Sequence, residues 1–453
     1  MYQPELERAP ARGIWGSRVG FILAATGSAI GLGNIWKFPY ITGVYGGGAF
    51  VLVYLISVVI VGLPLMIAEL MIGRHSKKNP VGAFKTLHHP RSPWQLTGWL
   101  GVLSGFVILS FYSVVAGWAM AYIFKSAAGF SGTAEQIQGE YGALVADPAL
   151  SILWHTIFMV LCIGIVAGGV QRGIERWSKI LMPTLFAILL GLMAYGLFWT
   201  DGGARAMNFL FKPDFSKLSA EAALSALGHA FFTLSLGMGA MLTYGSYMRR
   251  DESITRDAIT VSVLDTVIAL IAGIAIYALV FNFDTDPAAG PGLIFQTLPV
   301  LFAETGPWIS VPFFILLTFA ALTSGISLLE VVVSYFIDER RWGRIKSTLI
   351  LGTAIYLFGL LSAVAALTVP FRGKQQGFFD IFDFISTNYM LPIGGFLTCL
   401  FAAWVMKKAS MISEFGSGGI MFKGLVFVLR FVTPVAVLLV LLHGLELLPF
   451  MEY

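Results

Sequence analysis

Long apolar segments recur along the whole chain and are separated by short polar loops. Each has roughly 18 residues or more, the length that an α-helix needs to cross the hydrocarbon core of a bilayer. The pattern predicts an all-α polytopic membrane protein with about eleven transmembrane helices, which we number spans one to eleven. Their approximate limits are 15–41, 46–72, 96–125, 151–169, 174–199, 223–248, 257–283, 308–337, 346–368, 378–406 and 420–447.

The spans leave no room for a separate soluble domain. We divide the chain into a polar N-terminal segment (1–14), a helical core (15–406), and an additional eleventh helix with a short C-terminal tail (407–453). The polar segment runs directly into a long apolar span and not into a short apolar region with a cleavage site. We therefore expect no removable signal peptide.

Composition supports a membrane location. The 453 residues are 57% apolar and 12% charged, about half the charged fraction of a typical soluble domain. Cys162 and Cys399 both lie inside predicted spans, which favours packing residues over a disulfide. The net charge of +4 follows the placement of the loops, so we expect no nucleic-acid partner.

Lysine and arginine residues concentrate in alternate loops, whereas loops 126–150 and 284–307 contain none. Cytoplasmic loops of membrane proteins carry an excess of these residues. We therefore predict a multi-pass protein of the cell inner (plasma) membrane with a cytoplasmic N-terminus. An odd number of spans places the C-terminus outside.

Two spans are poor continuous helices. Residues 26–34 of span one and 232–240 of span six combine glycines with hydroxyl or amide side chains. Each glycine weakens a helix by about 1 kcal/mol relative to alanine, and the polar side chains compete for backbone groups. Either cluster alone would fit close packing of helices through small residues.

The two clusters correspond to each other, because residues 29–33 are echoed by residues 235–239 five spans later. Glycine-interrupted spans at matching places in two halves indicate an inverted-repeat transporter with its site near the midplane. We predict a 5+5 inverted repeat, about 15–199 and 223–406, with helices one and six broken. Unwound carbonyls suit a cation such as sodium, and half-helix N-termini suit a carboxylate. The expected cargo is a zwitterionic amino acid with sodium.

Several segments resemble the neurotransmitter:sodium symporter family, whose fold is LeuT-like. They are residues 27–40, 46–50, 232–239, 292–299 and 322–324. The resemblance covers spans one to ten and is closest to bacterial carriers of hydrophobic amino acids. It implies sodium-coupled symport of aliphatic to aromatic L-amino acids into the cell by alternating access. Many members have twelve spans, so the predicted eleven is a departure outside the ten-span core.

The resemblance implies two sodium ions. The first would bind the Ala29 carbonyl, Asn34, Thr233, Asp265 and the substrate carboxylate. The second would bind the carbonyls of Gly27, Ile30 and Ala320 and the hydroxyls of Thr323 and Ser324. Residues 320, 323 and 324 share one helical face, and neutral oxygens avoid the cost of further buried charge. The alternative is that the two hydroxyls bond back to their own helix.

Asp265 occupies a position where the family usually has asparagine, and a carboxylate within a membrane span indicates a functional site. The positions that match the chloride neighbourhood of relatives are Tyr54, His229, Thr233 and Ala269. Histidine and alanine depart from the family pattern there. We infer that Asp265 supplies the negative charge that chloride would bring, so transport should be independent of chloride.

By resemblance, one set of residues lines the substrate pocket, with Tyr112 binding the carboxylate and Phe232 helping to close a lid. The set is Ala29, Leu32, Gly33, Ile108, Tyr112, Phe232, Thr233, Ser235, Met238, Ser324, Gly325 and Leu328. The pocket is apolar, Gly325 should leave space, and Met238 is adaptable. We therefore expect tolerance from valine-sized to aromatic side chains.

The resemblance also places two ion-pair gates. Lys37 and Asp383 match the external pair, and Arg12 and Asp338, with Tyr247 beside them, match the cytoplasmic pair. Arginine is usual where Lys37 stands, so the external gate should be looser. Glu330 stands where some relatives have glutamine, and Glu69 would support the unwound sixth helix.

No arrangement of a nucleophile and a base has catalytic spacing, so we do not expect an enzyme. Three functions stay open: symport of sodium and an amino acid, transport of another small substrate on the same fold, and a non-transporting receptor or channel. The expected partners are the substrate and the lipid bilayer. A monomer should suffice for transport, and the sequence leaves the oligomeric state open.

Overall fold

The computed structural model describes residues 13–287 and 290–448. Nine unbroken helices in these residues are long and apolar enough to cross a membrane, and a bent pair, Arg18–Ala29 with Gly33–Val44, forms span one. The nine are Gly48–Ser76 (span two), Gln95–Ala128 (three), Pro148–Ala167 (four), Val170–Phe198 (five), Ile254–Asn282 (seven), Pro307–Arg340 (eight), Arg344–Ala363 (nine), Phe378–Val405 (ten) and Ile420–Gly444 (eleven).

Span six consists of two helices, Ala220–Thr233 and Ala240–Ser246, separated by residues 234–239. Each half is too short to cross a membrane alone. All eleven predicted spans are thus present as helices or helix pairs, and the predicted all-α, polytopic fold is confirmed. The breaks fall in the two glycine clusters that the sequence marks.

Short elements connect the spans. They are the helices Pro80–Leu87, Ala134–Ala146, Gly203–Phe211, Phe215–Lys217, Gly290–Leu293, Thr297–Thr305 and Lys408–Phe415, and the strands Thr368–Phe371 and Lys374–Gly377. The predicted limit of span nine, residue 368, is wrong. The helix ends at Ala363, and an antiparallel hairpin follows in which Thr368 faces Gly377. Arg372 and Gly373 both have positive φ, as a tight hairpin turn requires.

Spans three and eight form the centre of the bundle and pack against each other more extensively than any other pair. In their most apolar segments 78% of residues are buried, against 33% in spans five and eleven. Side chains such as Val160, Phe427 and Val435 are exposed on the peripheral spans. Apolar side chains on the outer face are expected of helices that face lipid.

Local sequence explains where several helices begin. Asp147 caps span four by accepting from the backbone N–H of Ala149 at 2.9 Å, and Pro148 occupies the first helical position. Ser253 caps span seven in the same way. Span five begins with a π-helical turn, Val170–Glu175, and continues as an α-helix through Pro183 to Phe198.

Candidate substrate and sodium site

The break in span one frees backbone groups in the centre of the bundle. The first helix ends at Ala29, and the second starts at Gly33 at an angle of 50° to it. The N–H of Gly31 donates to Oδ1 of Asn34 at 3.3 Å, and the N–H of Leu32 donates to the Tyr112 hydroxyl at 3.3 Å. Since these N–H groups have side-chain partners, carbonyls just before the break lose their helical donors.

The Ser324 hydroxyl lies among these carbonyls. Its oxygen is 3.4 Å from the Gly27 carbonyl, 3.2 Å from that of Ser28 and 3.3 Å from that of Ile30. Gly27 permits this close approach, because a Cβ there would lie 3.0 Å from the Thr323 Cβ. Span one and span eight therefore meet through oxygen atoms.

The other predicted ligands of the second sodium ion on span eight are Thr323 and Ala320, one and four residues before Ser324. Thr323 Oγ1 is 3.0 Å from the Ala320 carbonyl and 3.1 Å from that of Phe319. This is the back-bonding pattern that the sequence left as the alternative for Thr323. Ser324 instead bonds across to span one.

A second oxygen cluster surrounds Asp265, which is fully buried in span seven. Nδ2 of Asn34 donates to its Oδ1 at 2.8 Å, and Thr233 Oγ1 lies 3.1 Å from the same oxygen. Tyr54 donates to Oδ2 at 3.5 Å. Three of the four protein ligands predicted for the first sodium ion, Asn34, Thr233 and Asp265, are thus in contact, and the fourth, Ala29, lines the cavity described below.

The break in span six needs backbone that few side chains tolerate. Ser235, Gly237 and Gly239 all have positive φ. A Cβ at Gly237 would lie 2.3 Å from the Leu391 carbonyl oxygen, so only glycine fits. Buried Glu69 accepts from the N–H of Gly237 at 2.7 Å, which satisfies one donor that the break exposes. The predicted support of helix six by Glu69 matches this contact.

A small cavity lies between the two breaks. Its lining residues are Ser28, Ala29, Gly31, Leu32, Gly33, Ile108, Tyr112, Phe232, Ser235, Met238, Ser324, Ser327 and Leu328. Ten of the predicted pocket residues belong to this lining. The sequence missed Gly31, Ser28 and Ser327, and the hydroxyls of the two serines bond to each other at 2.7 Å.

Two predicted pocket residues lie elsewhere. Thr233 turns its hydroxyl to Asn34 and Asp265. Gly325 faces span four, where a Cβ would lie 3.0 Å from Cys162 Sγ and 3.2 Å from the Phe158 ring. Gly325 is therefore not part of the lining of this cavity, because that side of span eight packs against span four.

His229 is buried beside this cluster but does not bond to Asp265. Its ring stacks on Phe38 at 5.9 Å and lies 5.4 Å from the Tyr54 ring. Neither ring nitrogen has a hydrogen-bond partner among the described residues. Ala269 is also fully buried. Asp265 therefore supplies the carboxyl group beside the Tyr54, His229, Thr233 and Ala269 positions.

We call the side of the membrane on which span one begins the basic side, because most of the lysine- and arginine-rich loops lie there. On the opposite side, a vestibule reaches down to Tyr112 and Phe232, which also line the cavity. Lys37 and Asp383 both line this vestibule. No ion pair joins them within the described chain. Lys37 Nζ lies instead over the Phe232 ring at 4.7 Å, so the predicted external gate is not closed in this structure.

The basic side is closed beneath the cavity. Trp15 is buried, donates from Nε1 to the Tyr244 carbonyl at 3.0 Å, and packs on the rings of Tyr244 and Tyr247. The buried Glu175 carboxylate accepts from the N–H of Gly16 at 2.6 Å. These contacts hold the start of span one against spans five and six.

The cytoplasmic gate that the sequence predicts is seen in part. Arg12 lies outside the described residues. Asp338 accepts from the Asn79 N–H at 2.8 Å, and Tyr247 donates to Glu330 at 2.5 Å. The sequence missed Arg344, which forms two hydrogen bonds of 2.6 and 2.9 Å with the buried Glu330 carboxylate. Its position in a basic loop gave no sign of this pairing.

Residues 12–131 and 147–453 match the model of the sodium:neurotransmitter symporter family. The chain belongs to this family. As a member it is a sodium-dependent membrane transporter and not an enzyme, and the resemblance on which the predicted sites rest is confirmed at the level of the family.

Similar proteins span nearly the whole chain. A sodium-dependent transporter of Bacillus subtilis (strain 168), YhdH, is 39% identical over 450 residues, which cover 96% of this chain and 98% of the relative. A sodium-dependent transporter of Methanocaldococcus jannaschii is 33% identical over 420 residues, covering 86% of this chain and 81% of the relative. Both are described as uncharacterised.

Among solved structures, the crystal structure of MhsT in complex with L-phenylalanine is similar. It is 43% identical in sequence, with a TM-score of 0.88, and the match covers 96% of this chain and all of that one. The shared fold confirms the predicted architecture, with helices one and six broken. The ligand named for MhsT is a hydrophobic amino acid.

Proposed function

We propose that this transporter is a symporter that carries hydrophobic L-amino acids, aliphatic to aromatic, into the cell together with two sodium ions by alternating access. The observation that carries the proposal is the convergence of span-one carbonyls and the Ser324 hydroxyl beside an apolar cavity. Sodium takes several uncharged oxygens well, because they solvate it without adding buried charge.

The second sodium ion binds the carbonyls of Gly27 and Ile30 and the Ser324 hydroxyl, with the Ala320 carbonyl and Thr323 hydroxyl completing the site. Thr323 turns from its own helix when the ion arrives. The first ion binds the Ala29 carbonyl, Asn34, Thr233 and Asp265, with the substrate carboxylate as a further ligand. Binding of the two solutes is thereby coupled, because each completes the site of the other.

The substrate carboxylate lies at the break in span one, near the Tyr112 hydroxyl and the N–H groups of Gly31 and Leu32. Its side chain lies against Ile108, Met238 and their apolar neighbours, where no acid or base is present in the lining. Met238 adapts to side chains of different size. The phenylalanine bound to MhsT supports this substrate class.

Asp265 makes chloride unnecessary. Its buried carboxyl group lies where relatives usually have an uncharged asparagine, and the first sodium ion beside it stabilises the charged form, so the pair needs no chloride. Lys37 and Asp383 close the vestibule once Phe232 has tilted over the substrate. On the basic side, which we assign to the cytoplasm, Arg12 with Asp338, and Tyr247 with Glu330, separate when the transporter opens inward.

Uptake into proteoliposomes tests the proposal. With an imposed inward sodium gradient, labelled phenylalanine and leucine should accumulate above equilibrium, and tryptophan and valine should compete. Replacing external sodium with potassium should abolish accumulation, and replacing chloride with gluconate should leave it unchanged. A channel or receptor would not accumulate substrate, and sodium-independent accumulation would contradict symport.

A further inference from the structure

Arg430 is an arginine in the middle third of a span that faces lipid. It lies in span eleven, ten residues after the first residue of the helix, and its side chain is exposed. A cation in that position is costly unless it reaches the interface or a partner. The residue therefore needs an explanation that the transport sites do not give.

Part of the explanation is structural. Arg430 Nε donates to the Ala403 carbonyl at 2.9 Å, near the end of span ten at Val405. Carbonyls in the last turn of a helix lack helical donors, so Arg430 caps span ten. The guanidinium also lies over the Trp404 ring at 4.9 Å. Its two terminal nitrogens have no hydrogen bond to any residue that the structure describes.

Although Arg430 is in the middle third of its helix, we infer that its guanidinium is near the membrane interface, because it contacts the end of span ten. Spans ten and eleven are antiparallel, and the segments 401–405 and 428–432 contact each other. The Arg430 backbone is therefore level with the last turn of span ten. Trp404 is 57% exposed there, and Trp is enriched at membrane interfaces.

Other cations surround the same corner. Lys407 and Lys408 follow the end of span ten, and both are exposed. Lys423 lies seven residues before Arg430 on span eleven, so the two share one helical face. The nearby Glu414 carboxylate is engaged by Arg74 at 2.5 Å and His75 at 2.9 Å. The corner is thus positively charged and open to lipid.

We propose that this corner, Trp404, Lys407, Lys408, Lys423 and Arg430, binds the phosphodiester headgroup of an anionic phospholipid in the leaflet of the basic side. The terminal nitrogens of Arg430 donate to the phosphate in the paired geometry that guanidinium favours. The lysines add attraction of about 1 kcal/mol each near a membrane surface. The acyl chains lie along Phe431, Val435 and Leu438, the exposed side chains of span eleven that follow Arg430 towards the membrane centre.

Native mass spectrometry of the full chain in detergent tests the site, with phosphatidylglycerol and phosphatidylcholine of identical acyl chains as probes. We expect the first phosphatidylglycerol to bind at least about fivefold more tightly than phosphatidylcholine. Arg430→Gln should remove most of this selectivity. Arg91→Gln, an exposed arginine in a loop of the same side, is the matched control and should retain it.

The cap and the lipid site give different results. If Arg430 only caps span ten, Arg430→Gln lowers the thermal stability of the lipid-free protein and leaves the lipid selectivity unchanged, which overturns the proposal. The Lys407→Gln/Lys408→Gln double variant loses no described side-chain hydrogen bond and should also bind phosphatidylglycerol less tightly. Unchanged selectivity in this variant overturns the proposal, whether or not Arg430→Gln folds.

Two further outcomes would identify another occupant. Inorganic phosphate at millimolar concentration should not displace phosphatidylglycerol. Displacement would indicate a site for soluble anions and would overturn the lipid assignment. A dimer of the wild type that Arg430→Gln dissociates, visible in the same spectra, would show that a second copy covers the corner and would overturn it as well.

Discussion

Nδ2 of Asn34 donates a 2.8 Å hydrogen bond to Oδ1 of Asp265, although 231 residues separate them in the chain. The contact joins the second half of span one to span seven at the site proposed for the first sodium ion. It orients the Asn34 amide oxygen away from the carboxylate, and that oxygen lies 3.1 Å from the Thr233 hydroxyl. Asn34 thus presents a neutral amide oxygen, and Asp265 presents carboxylate oxygens, to the same site.

The first prediction concerns chloride. Asp265→Asn keeps the shape of the side chain and removes its charge. We expect sodium-driven phenylalanine uptake in gluconate to fall about tenfold or more, since a charge-assisted contact contributes about 1.5–3 kcal/mol. Chloride should restore part of the activity of this variant. Asp251→Asn, in an exposed loop, should behave like the wild type. Chloride-dependent uptake by the wild type would contradict the role given to Asp265.

The second prediction concerns the second sodium ion. Ser324→Ala removes the hydroxyl that contacts three carbonyls and should weaken the apparent affinity for sodium about fivefold, the effect of roughly 1 kcal/mol. Uptake as a function of sodium concentration measures it. Ser334→Ala deletes a buried hydroxyl on the same helix that bonds only within span eight, and it should leave sodium dependence unchanged. Equal shifts in both variants would argue against ligation.

The third prediction concerns the break in span six. Gly237→Ala places a Cβ 2.3 Å from the Leu391 carbonyl oxygen at a φ of +80°. We expect a loss of at least about 2 kcal/mol in the free energy of unfolding, seen as a lower melting temperature in detergent. At Gly191, in span five, a Cβ meets nothing within 4 Å. Gly191→Ala should be neutral or stabilising by up to about 1 kcal/mol. If Gly191→Ala lost as much stability as Gly237→Ala, the loss would not be due to the contact at Gly237.

The fourth prediction concerns the buried carboxylate on the basic side. Arg344→Gln leaves Glu330 without its bidentate partner and should destabilise the protein by about 3 kcal/mol. The double variant Arg344→Gln/Glu330→Gln removes both charges and should recover most of that loss in thermal unfolding. Additive losses would mean that the two residues do not act as a pair.

The fifth prediction concerns pH on the basic side. Burial raises the pKa of the Glu414 carboxyl, but hydrogen bonds from Arg74 and His75 outweigh it, so the net pKa lies below the usual 4.5. A carboxyl group whose pKa is lowered by folding stabilises the folded protein at pH values above its usual pKa. This contribution is lost as the pH falls through the pKa of the folded state. Glu414→Gln should therefore lower the melting temperature at pH 7 and flatten its dependence below about pH 4.5. A parallel displacement at every pH would contradict this linkage.

The two breaks are the part of the site that local sequence predicts best. Gly237 and Gly239 need positive φ, and glycine supplies it without steric cost. The breaks depend on backbone geometry, which residue types report directly. The contact of Ser324 with span one is implied by the family resemblance, and helical spacing adds that Ser324 shares one face with Ala320.

Other features depend on how helices rotate against each other, which a single sequence does not report. The resemblance predicts that Gly325, one position from Ser324, faces the substrate, but a helix turns by about 100° per residue, and the Gly325 face meets span four. Trp15 is at the start of predicted span one and Arg344 is in a basic loop, two positions where the sequence explains them as membrane anchors. Their partners, Tyr244 and Glu330, are defined only by the assembled bundle.

The position of Lys37 over the Phe232 ring has an electrical consequence. When the ring tilts over a bound substrate, the ammonium group in contact with it moves into the membrane. A unit charge that crosses the full thickness gains about 2.3 kcal/mol per 100 mV, so a tenth of that path is worth about 0.2 kcal/mol. With the proposed lid movement and the basic side in the cytoplasm, a potential that is negative inside would therefore favour the closed lid and assist occlusion of the substrate.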